Sequence, residues 1–463
     1  MTRPRSRVGA ALACAGLSLA VLLPPATAQT RPGLSLPGPA PALAPVPAQA
    51  PAGSQPAGAT DTRAIPPAGV PSAGIVPPTY TLEQLVELAR SQGPAFAASR
   101  ARIVGAEAGL VTAGARPNPE LDLQAGRQSA SGGSIPGSTG AFGVLQPIDR
   151  GSLREARRAV ATTGVEGARA EASVFERDRI AELTLRYLDV LRLQAAARLA
   201  EEDLSIAEQI RSRVQVRVGT GEAPRFELIR ADAERLNAQR AVQAAAARID
   251  VARAELRRRV GSALPADFAL VGSIEDAVPA PPPIDALRAS LRSRHPELSA
   301  ARAALRNAEA RLALERERAR PTFAVRAGVE RVPEVTDARI GLVVQVPVFD
   351  RREGPIAEAA AEVERSRLDL ADRELQLGQA LEVAWQRHQI AIAQVAAYES
   401  GLLSEAEAAV RVAEAAYRFG ERGILDFLDA QRTFRTLRNE FNATRYDLRA
   451  ALVELERLRA ESE

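Results

Sequence analysis

The chain has 463 residues, 46% of them hydrophobic and 4% aromatic, enough for two or three ordinary domains. Its formal charge of +3 is carried by Arg3, Arg5 and Arg7, because residues 1–28 contain no acid; the rest is close to neutral and offers no electrostatic ground for nucleic-acid binding. The single cysteine, Cys14, falls in the same opening stretch, so a disulfide or a cysteine-built zinc or redox site is excluded from the remainder.

The first residues read as an export address. The three arginines form a basic n-region, residues 8–23 a short apolar run, and Ala26-Thr27-Ala28 a small-x-small cleavage signal before Gln29, so 1–28 is expected to be a signal peptide. The run is too short for a comfortable membrane span, and no later segment approaches twenty apolar residues. Residues 29–79 are rich in proline, alanine and glycine with few charges. Such a segment cannot bury enough apolar surface to offset its ordering entropy, and a disordered tether is expected.

Residues 80–260 read as one structural unit. Thr81-Leu82-Glu83-Gln84 has the form of a capping box. The helical pattern that follows runs to Gln92, breaks at Gly93-Pro94, resumes to about Ala115, and stops at Arg116-Pro117-Asn118-Pro119. Residues 120–126 alternate apolar and polar at period two and predict a strand; a Gly/Ser-rich loop over 128–140 leads to a second strand over 142–148. From about 152 to 218 there is no proline and little glycine, which predicts a helix about 100 Å long. A turn at 219–224 reverses it, and a second helix returns to about Val260.

After a linker at 261–283 the order repeats over 284–459, leaving 460–463 as a tail. Ser293-Arg294-His295-Pro296 echoes Ser91-Gln92-Gly93-Pro94, and Arg320-Pro321 echoes Arg116-Pro117. Residues 323–330 predict a third strand. The fourth carries Ile340, Leu342, Val344, Val346 and Val348 on one face. A second rod spans about 354–419, with Leu381, Ala384, His388, Ala391, Val395, Tyr398 and Leu402 forming a heptad seam. Leu403, Ala406, Val410, Ala413 and Tyr417 continue that seam after a one-residue shift. A turn containing Gly420 and Gly423 reverses this rod, and Gly219 and Gly221 hold the matching place in the first half.

Four strands of about nine to eleven residues, apolar on one face, suit a bilayer crossing. Four cannot close a barrel, and an open edge in lipid costs several kcal/mol for each unpaired backbone group. Either the strands form a soluble sheet, or several chains pool them. The fold class expected is mainly α with β: long helical hairpins plus four transmembrane strands per chain, internally duplicated.

The order of elements, the duplication, the Arg116-Pro117-Asn118-Pro119-Glu120-Leu121 approach to the first strand, and the Gly420-x-x-x-Ile424-x-Asp426-x-Leu428-Asp429-Ala430 turn resemble the TolC-like outer-membrane efflux proteins. The resemblance covers the chain from about residue 79. Residues 114–121 resemble the cation-efflux, CzcC-type branch. It implies a homotrimer in outer-membrane lipid with a twelve-stranded barrel and a periplasmic helical tunnel. It also implies a periplasmic adaptor (membrane fusion) protein and an inner-membrane transporter such as an RND pump at the helical tips. No cofactor, metal site or nucleic-acid partner is implied. Function would be passive conduction of heavy-metal cations or small toxic compounds.

Asp426 and Asp429 match the family's paired aspartates, implying a ring of carboxylates at the entrance; as plain residues they are also ordinary first-turn acids favoured by the helix dipole. Tyr417 and Arg422 match residues that clamp the entrance shut, with Glu227 as acidic partner on the first hairpin. His388 falls on the apolar seam and His295 marks a helix break, so neither reads as a metal ligand. No nucleophile–base set or phosphate-cradling loop is visible, which argues against an enzyme. A rival reading is a periplasmic coiled-coil adaptor or structural protein bridging the envelope, which should carry lipoyl-like β motifs.

Overall fold

The computed structural model describes residues 77–129 and 135–459. The expected signal peptide, all but the last residues of the tether, and the tail at 460–463 lie outside the described residues.

Strand β1 (Thr79–Tyr80) leads into α1 (Leu82–Gln92), whose N-terminus is closed by the Thr81–Gln84 capping box. Pro94 opens α2 (Pro94–Gly114), because its missing N–H is one the first turn does not use. Strands β2 (Glu120–Gln128) and β3 (Gly137–Ile148) form a hairpin, followed by α3 (Gly151–Gly219) and α4 (Arg225–Val260). Strand β4 (Ala269–Leu270) lies in the connection and pairs in parallel with β1. The second half is α5 (Ile284–Arg294), α6 (Pro296–Arg318), β5 (Thr322–Arg331), β6 (Thr336–Gln345), α7 (Glu353–Ala397), α8 (Leu403–Arg418) and α9 (Ile424–Leu458). As at Gly93-Pro94, the break before α6 falls at a residue preceding proline: His295 is the cap, and its Nδ1 accepts the Glu297 amide at 3.3 Å.

Three differences from the sequence reading have local causes. Strand β3 begins at Gly137 rather than Phe142, since the ladder with β2 needs only backbone groups, and the small residues 137–140 supply them opposite Ala125 through Gln128. Strand β6 ends at Gln345, short of Val346 and Val348, because Pro347 has no N–H to continue a ladder. The second rod is not one helix. A π-helical turn at Tyr398–Leu402, with Gly401 at φ 155°, separates α7 from α8. A π-turn accommodates one extra residue, and it falls where the apolar seam slips by one, between Leu402 and Leu403.

The four long strands make one antiparallel sheet in the order β2-β3-β5-β6. Register puts Leu123 beside Phe142, Phe142 beside Val329, and Val329 beside Ala338; two residues along, Leu121, Val144, Ala327 and Ile340 form the next row. Apolar residues thus gather on one face, and Glu120, Asp122, Arg326, Glu330, Asp337 and Arg339 alternate onto the other. Among the described residues nothing covers the apolar face: Ile340 is 82% exposed and Leu123 73%. Strands β2 and β6 each have one edge with no partner among the described residues.

The helices bury no single core. One cluster joins α1, α3 and α4 to the connection through Leu85, Leu183, Leu191, Leu256, Leu264 and Phe268. A second joins α5, α6, α7 and α9. A third lies at the far ends of the rods. Helix α3, at 69 residues about 100 Å long, packs on α2, α4, α6 and α9. Among the described residues no helix is long and apolar enough to cross a membrane.

Candidate functional site

The two hairpins reverse through one and the same turn. At the end of α3, Thr220 takes φ −82°, Gly221 φ +80°, and the Glu222 amide donates to the Arg217 carbonyl at 2.8 Å. At the end of α8, Phe419 takes φ −86°, Gly420 φ +75°, and the Glu421 amide donates to the Ala416 carbonyl at 2.9 Å. This is the glycine-closed helix terminus in which the sixth residue's N–H returns to the first carbonyl. Of the four glycines at the tips, Gly221 and Gly420 need glycine's conformational freedom. Gly219 is still the last residue of α3, and Gly423 is an extended N-cap (φ −77°) of α9.

The tips pack on each other. Ile210 and Val214 of α3, Ala231 of α4, Tyr417 of α8, and Ile424, Phe427 and Leu428 of α9 form the third cluster. The Tyr417 and Phe427 rings stack with centroids 6.2 Å apart. Tyr417 is 6% exposed, and its hydroxyl donates to Glu227 Oε2 at 2.8 Å, a bond between hairpins. Burial first, and then that carboxylate, push the Tyr417 phenol up to about 12, so it stays a neutral donor.

Arg422 does not reach Glu227 within the chain. Its Nη1 lies 3.5 Å from Asp426 Oδ2, one helical turn ahead, with side chains 68% and 53% exposed. The reason is local: at i,i+4 across the start of α9, Asp426 is its nearest acid. The cation beside Tyr417 is instead Arg217, whose guanidinium lies 4.6 Å from the ring centroid and donates to the Tyr417 carbonyl at 3.3 Å. Sequence reasoning missed Arg217; the available signal was a basic residue in the last turn of α3, directly before Val218, which holds Tyr417's place in the first half. Also missed was Glu234 of α4, which takes Arg435 of α9 at 2.8 Å and Arg432 at 3.8 Å.

Asp426 and Asp429 are exposed, whereas Ile424, Phe427 and Leu428 between and beside them are buried. The first turns of α9 therefore anchor on one side and present two carboxylates on the other. Glu227 holds in α4 the place Asp426 holds in α9.

His388 is 1% exposed in α7, its ring 6.3 Å from that of Trp385, and His295 is likewise 1% exposed, its pKa lowered to about 4 mainly by burial. Among the described residues no group of three or more His, Cys, Asp or Glu is arranged to hold a metal ion.

A sheet apolar on one face and open at both edges is joined in the described residues to paired helical hairpins longer than a soluble core requires. The family description "Outer membrane efflux protein" matches residues 85–262 and again 287–460. The chain belongs to that family. It is 28% identical over 357 residues to the cobalt-zinc-cadmium resistance protein CzcC of Cupriavidus metallidurans, covering 76% of this chain and 83% of that protein. It is 26% identical to the nickel-cobalt-cadmium resistance protein NccC of Alcaligenes xylosoxydans xylosoxydans, covering 63% and 66%. The crystal structure of the outer membrane protein VceC from Vibrio cholerae shares the fold, with a TM-score of 0.68 at 18% identity over 82% of this chain and 97% of that one. The protein is an outer-membrane efflux channel component with its helical part in the periplasm, and family membership displaces the adaptor reading.

Proposed function

We propose that three copies of this chain pool their strands into one twelve-stranded barrel and that the assembly conducts divalent heavy-metal cations out of the periplasm. The observation that carries this reading is the register-aligned apolar face, uncovered and ending in two unpaired edges. In lipid, unpaired edge groups cost several kcal/mol each, and joining β6 of one copy to β2 of the next removes them all. The cation cargo is favoured by the two metal-resistance relatives and by the exposed Asp426–Asp429 pair, which three copies multiply into six carboxylates at a narrow mouth.

In this reading the Tyr417–Glu227 bond holds the resting tips together. Arg422, turned toward Asp426, tempers the carboxylate ring. A periplasmic adaptor and an inner-membrane transporter of the RND class dock at the tips and supply the energy, and the conduit itself needs no cofactor.

The test is a strain lacking its own channel of this type, supplied with this chain and the matching pump and adaptor. Restored tolerance to cobalt, zinc and cadmium supports the cargo assignment. Tolerance restored only to organic compounds overturns it.

A further inference from the structure

Two charges break the apolar face of the sheet, and both lie at the same end. Counting along the register, the residues on that face are Leu121, Leu123, Ala125 and Arg127 in β2, and Phe323, Val325, Ala327, Val329 and Arg331 in β5; those in β3 and β6 carry no charge at all. Arg127 is the next-to-last residue of β2 and Arg331 the last of β5, so both stand beside the hairpin turns, away from the ends where the helices join.

Of the two arginines on the polar face, Arg339 is ion-paired, while Arg326, in mid-strand, has no carboxylate within ion-pair distance among the described residues. On the polar face Arg339 has Asp337 at 2.8 Å and Glu330 at 3.6 Å. Arg127 and Arg331 are exposed, and among the described residues neither has a carboxylate within ion-pair distance. Residues 129–136, which connect β2 to β3, contain no acid, and Glu334 in the β5–β6 turn takes the Ile135 amide at 3.0 Å.

An arginine on the lipid side of a barrel costs about 2–4 kcal/mol at the bilayer midplane but about 0–1 near an interface. The placement is therefore tolerable at the rim, and there a guanidinium meets headgroups. It pairs with phosphate through two parallel hydrogen bonds. Strand order adds a spacing. Arg127 and Arg331 lie two strands apart, about 10 Å across the sheet, and two residues apart along it; with β6 closed onto the next copy's β2, an arginine stands on every second strand around the barrel.

We infer that Arg127 and Arg331 form a girdle on the outer rim that docks the phosphates of the outer leaflet's diphosphorylated glycolipid, the lipid A class. The inference rests on the barrel reading above. With the helices in the periplasm, the hairpin turns point outward, so the girdle meets the outer leaflet and its paired phosphates.

The experiment uses the full-length protein extracted from outer membranes in mild detergent, with oligomer size and retained lipid measured by mass spectrometry on one sample. The comparison is wild type, the double variant Arg127→Gln/Arg331→Gln, and Arg326→Gln on the polar face. Retention of diphosphorylated glycolipid should fall at least fivefold in the double variant and hold in Arg326→Gln, with oligomer size equal in all three. Equal retention in oligomers of equal size overturns the girdle, as does charge-dependent retention of glycerophospholipid instead. Absence of an oligomer in wild type sinks the barrel reading itself. Should the double variant fail to assemble, wild type is mixed with vesicles containing either diphosphorylated or fully dephosphorylated lipid A. Binding at least fivefold weaker to the latter is expected, and equal binding overturns the proposal.

Discussion

The Tyr417 hydroxyl donates to Glu227 Oε2 at 2.8 Å, tying the last turn of the second rod to the first turn of the return helix in the other hairpin. A hydrogen bond to a charged group contributes about 1.5–3 kcal/mol, more than an exposed ion pair at about 0.2–1 kcal/mol. Tyr417→Phe keeps the stack on Phe427 and removes the hydroxyl that bonds Glu227. Resting conductance in planar bilayers should rise, and a variant as tight as wild type removes the latch. The bond also has a pH signature. The folded-state pKa is raised to about 12 above the ordinary value of 10.0, so its stabilisation is complete below pH 10 and lost as pH climbs through about 12. Phenolate absorbance, wild type minus Tyr417→Phe, should show one tyrosine titrating late.

Asp426 and Asp429 point away from the residues that anchor α9, so neutralising them should leave folding intact. Asp426→Asn with Asp429→Asn is expected to lower cation over anion selectivity and weaken block by divalent cations in single-channel recordings. It also leaves Arg422 without its 3.5 Å partner, so an uncompensated cation stands beside the former carboxylates. Unchanged selectivity contradicts the ring.

Glycine at the two turns can be tested without steric ambiguity, because a Cβ at Gly221, Gly420 or Gly423 would meet nothing within 4 Å. Gly221→Ala and Gly420→Ala should each cost about 1–2 kcal/mol from the left-handed backbone alone. Gly423→Ala, at φ −77°, should cost little. Thermal unfolding of the three variants distinguishes them, and equal effects at all three would contradict the turn geometry.

Much of this fold was legible because breaks and periods have local causes. Proline fixed the interruptions at Gly93-Pro94 and His295-Pro296, and period-two alternation marked residues 120–126 and 340–348, the last three of which fall beyond the end of β6. The π-turn announced itself only as a one-residue slip in the seam at Leu402–Leu403, since apolar spacing records phase and not the backbone that absorbs a change in it. The start of β3 was hidden because Gly137-Ser138-Thr139-Gly140 has turn composition, yet pairs through its backbone. At the tips, family-matched positions suggested Tyr417, Arg422 and Glu227, but partner choice depends on side-chain reach. Arg422 turns along its own helix, and Arg217 takes the place over the Tyr417 ring. No sequence spacing connects Arg217 with Tyr417, because they meet only when two hairpins 200 residues apart in the chain pack together.

The apolar face of β6 makes a further demand. Ile340→Arg places a charge on a face that the barrel reading puts in lipid, at a cost of about 2–4 kcal/mol near the midplane. Gly341→Ser, on the opposite face with open space around it, should be tolerated. Outer-membrane yield of assembled protein should fall for the first and hold for the second. Equal yields would contradict burial of that face in lipid.

Cysteine cross-linking between the two sheet edges tests strand pooling most directly, since the sequence has one cysteine and it lies at position 14. Strands β2 and β6 are three strand intervals apart within a chain, about 14 Å, beyond the roughly 7 Å a disulfide can bridge. Ala125→Cys is combined in turn with Ala338→Cys, Ile340→Cys or Leu342→Cys, and outer membranes are oxidised. The account predicts that at least one pair yields covalent products that stop at three copies. Monomer alone from all three pairs, or a ladder that runs past three, would contradict it.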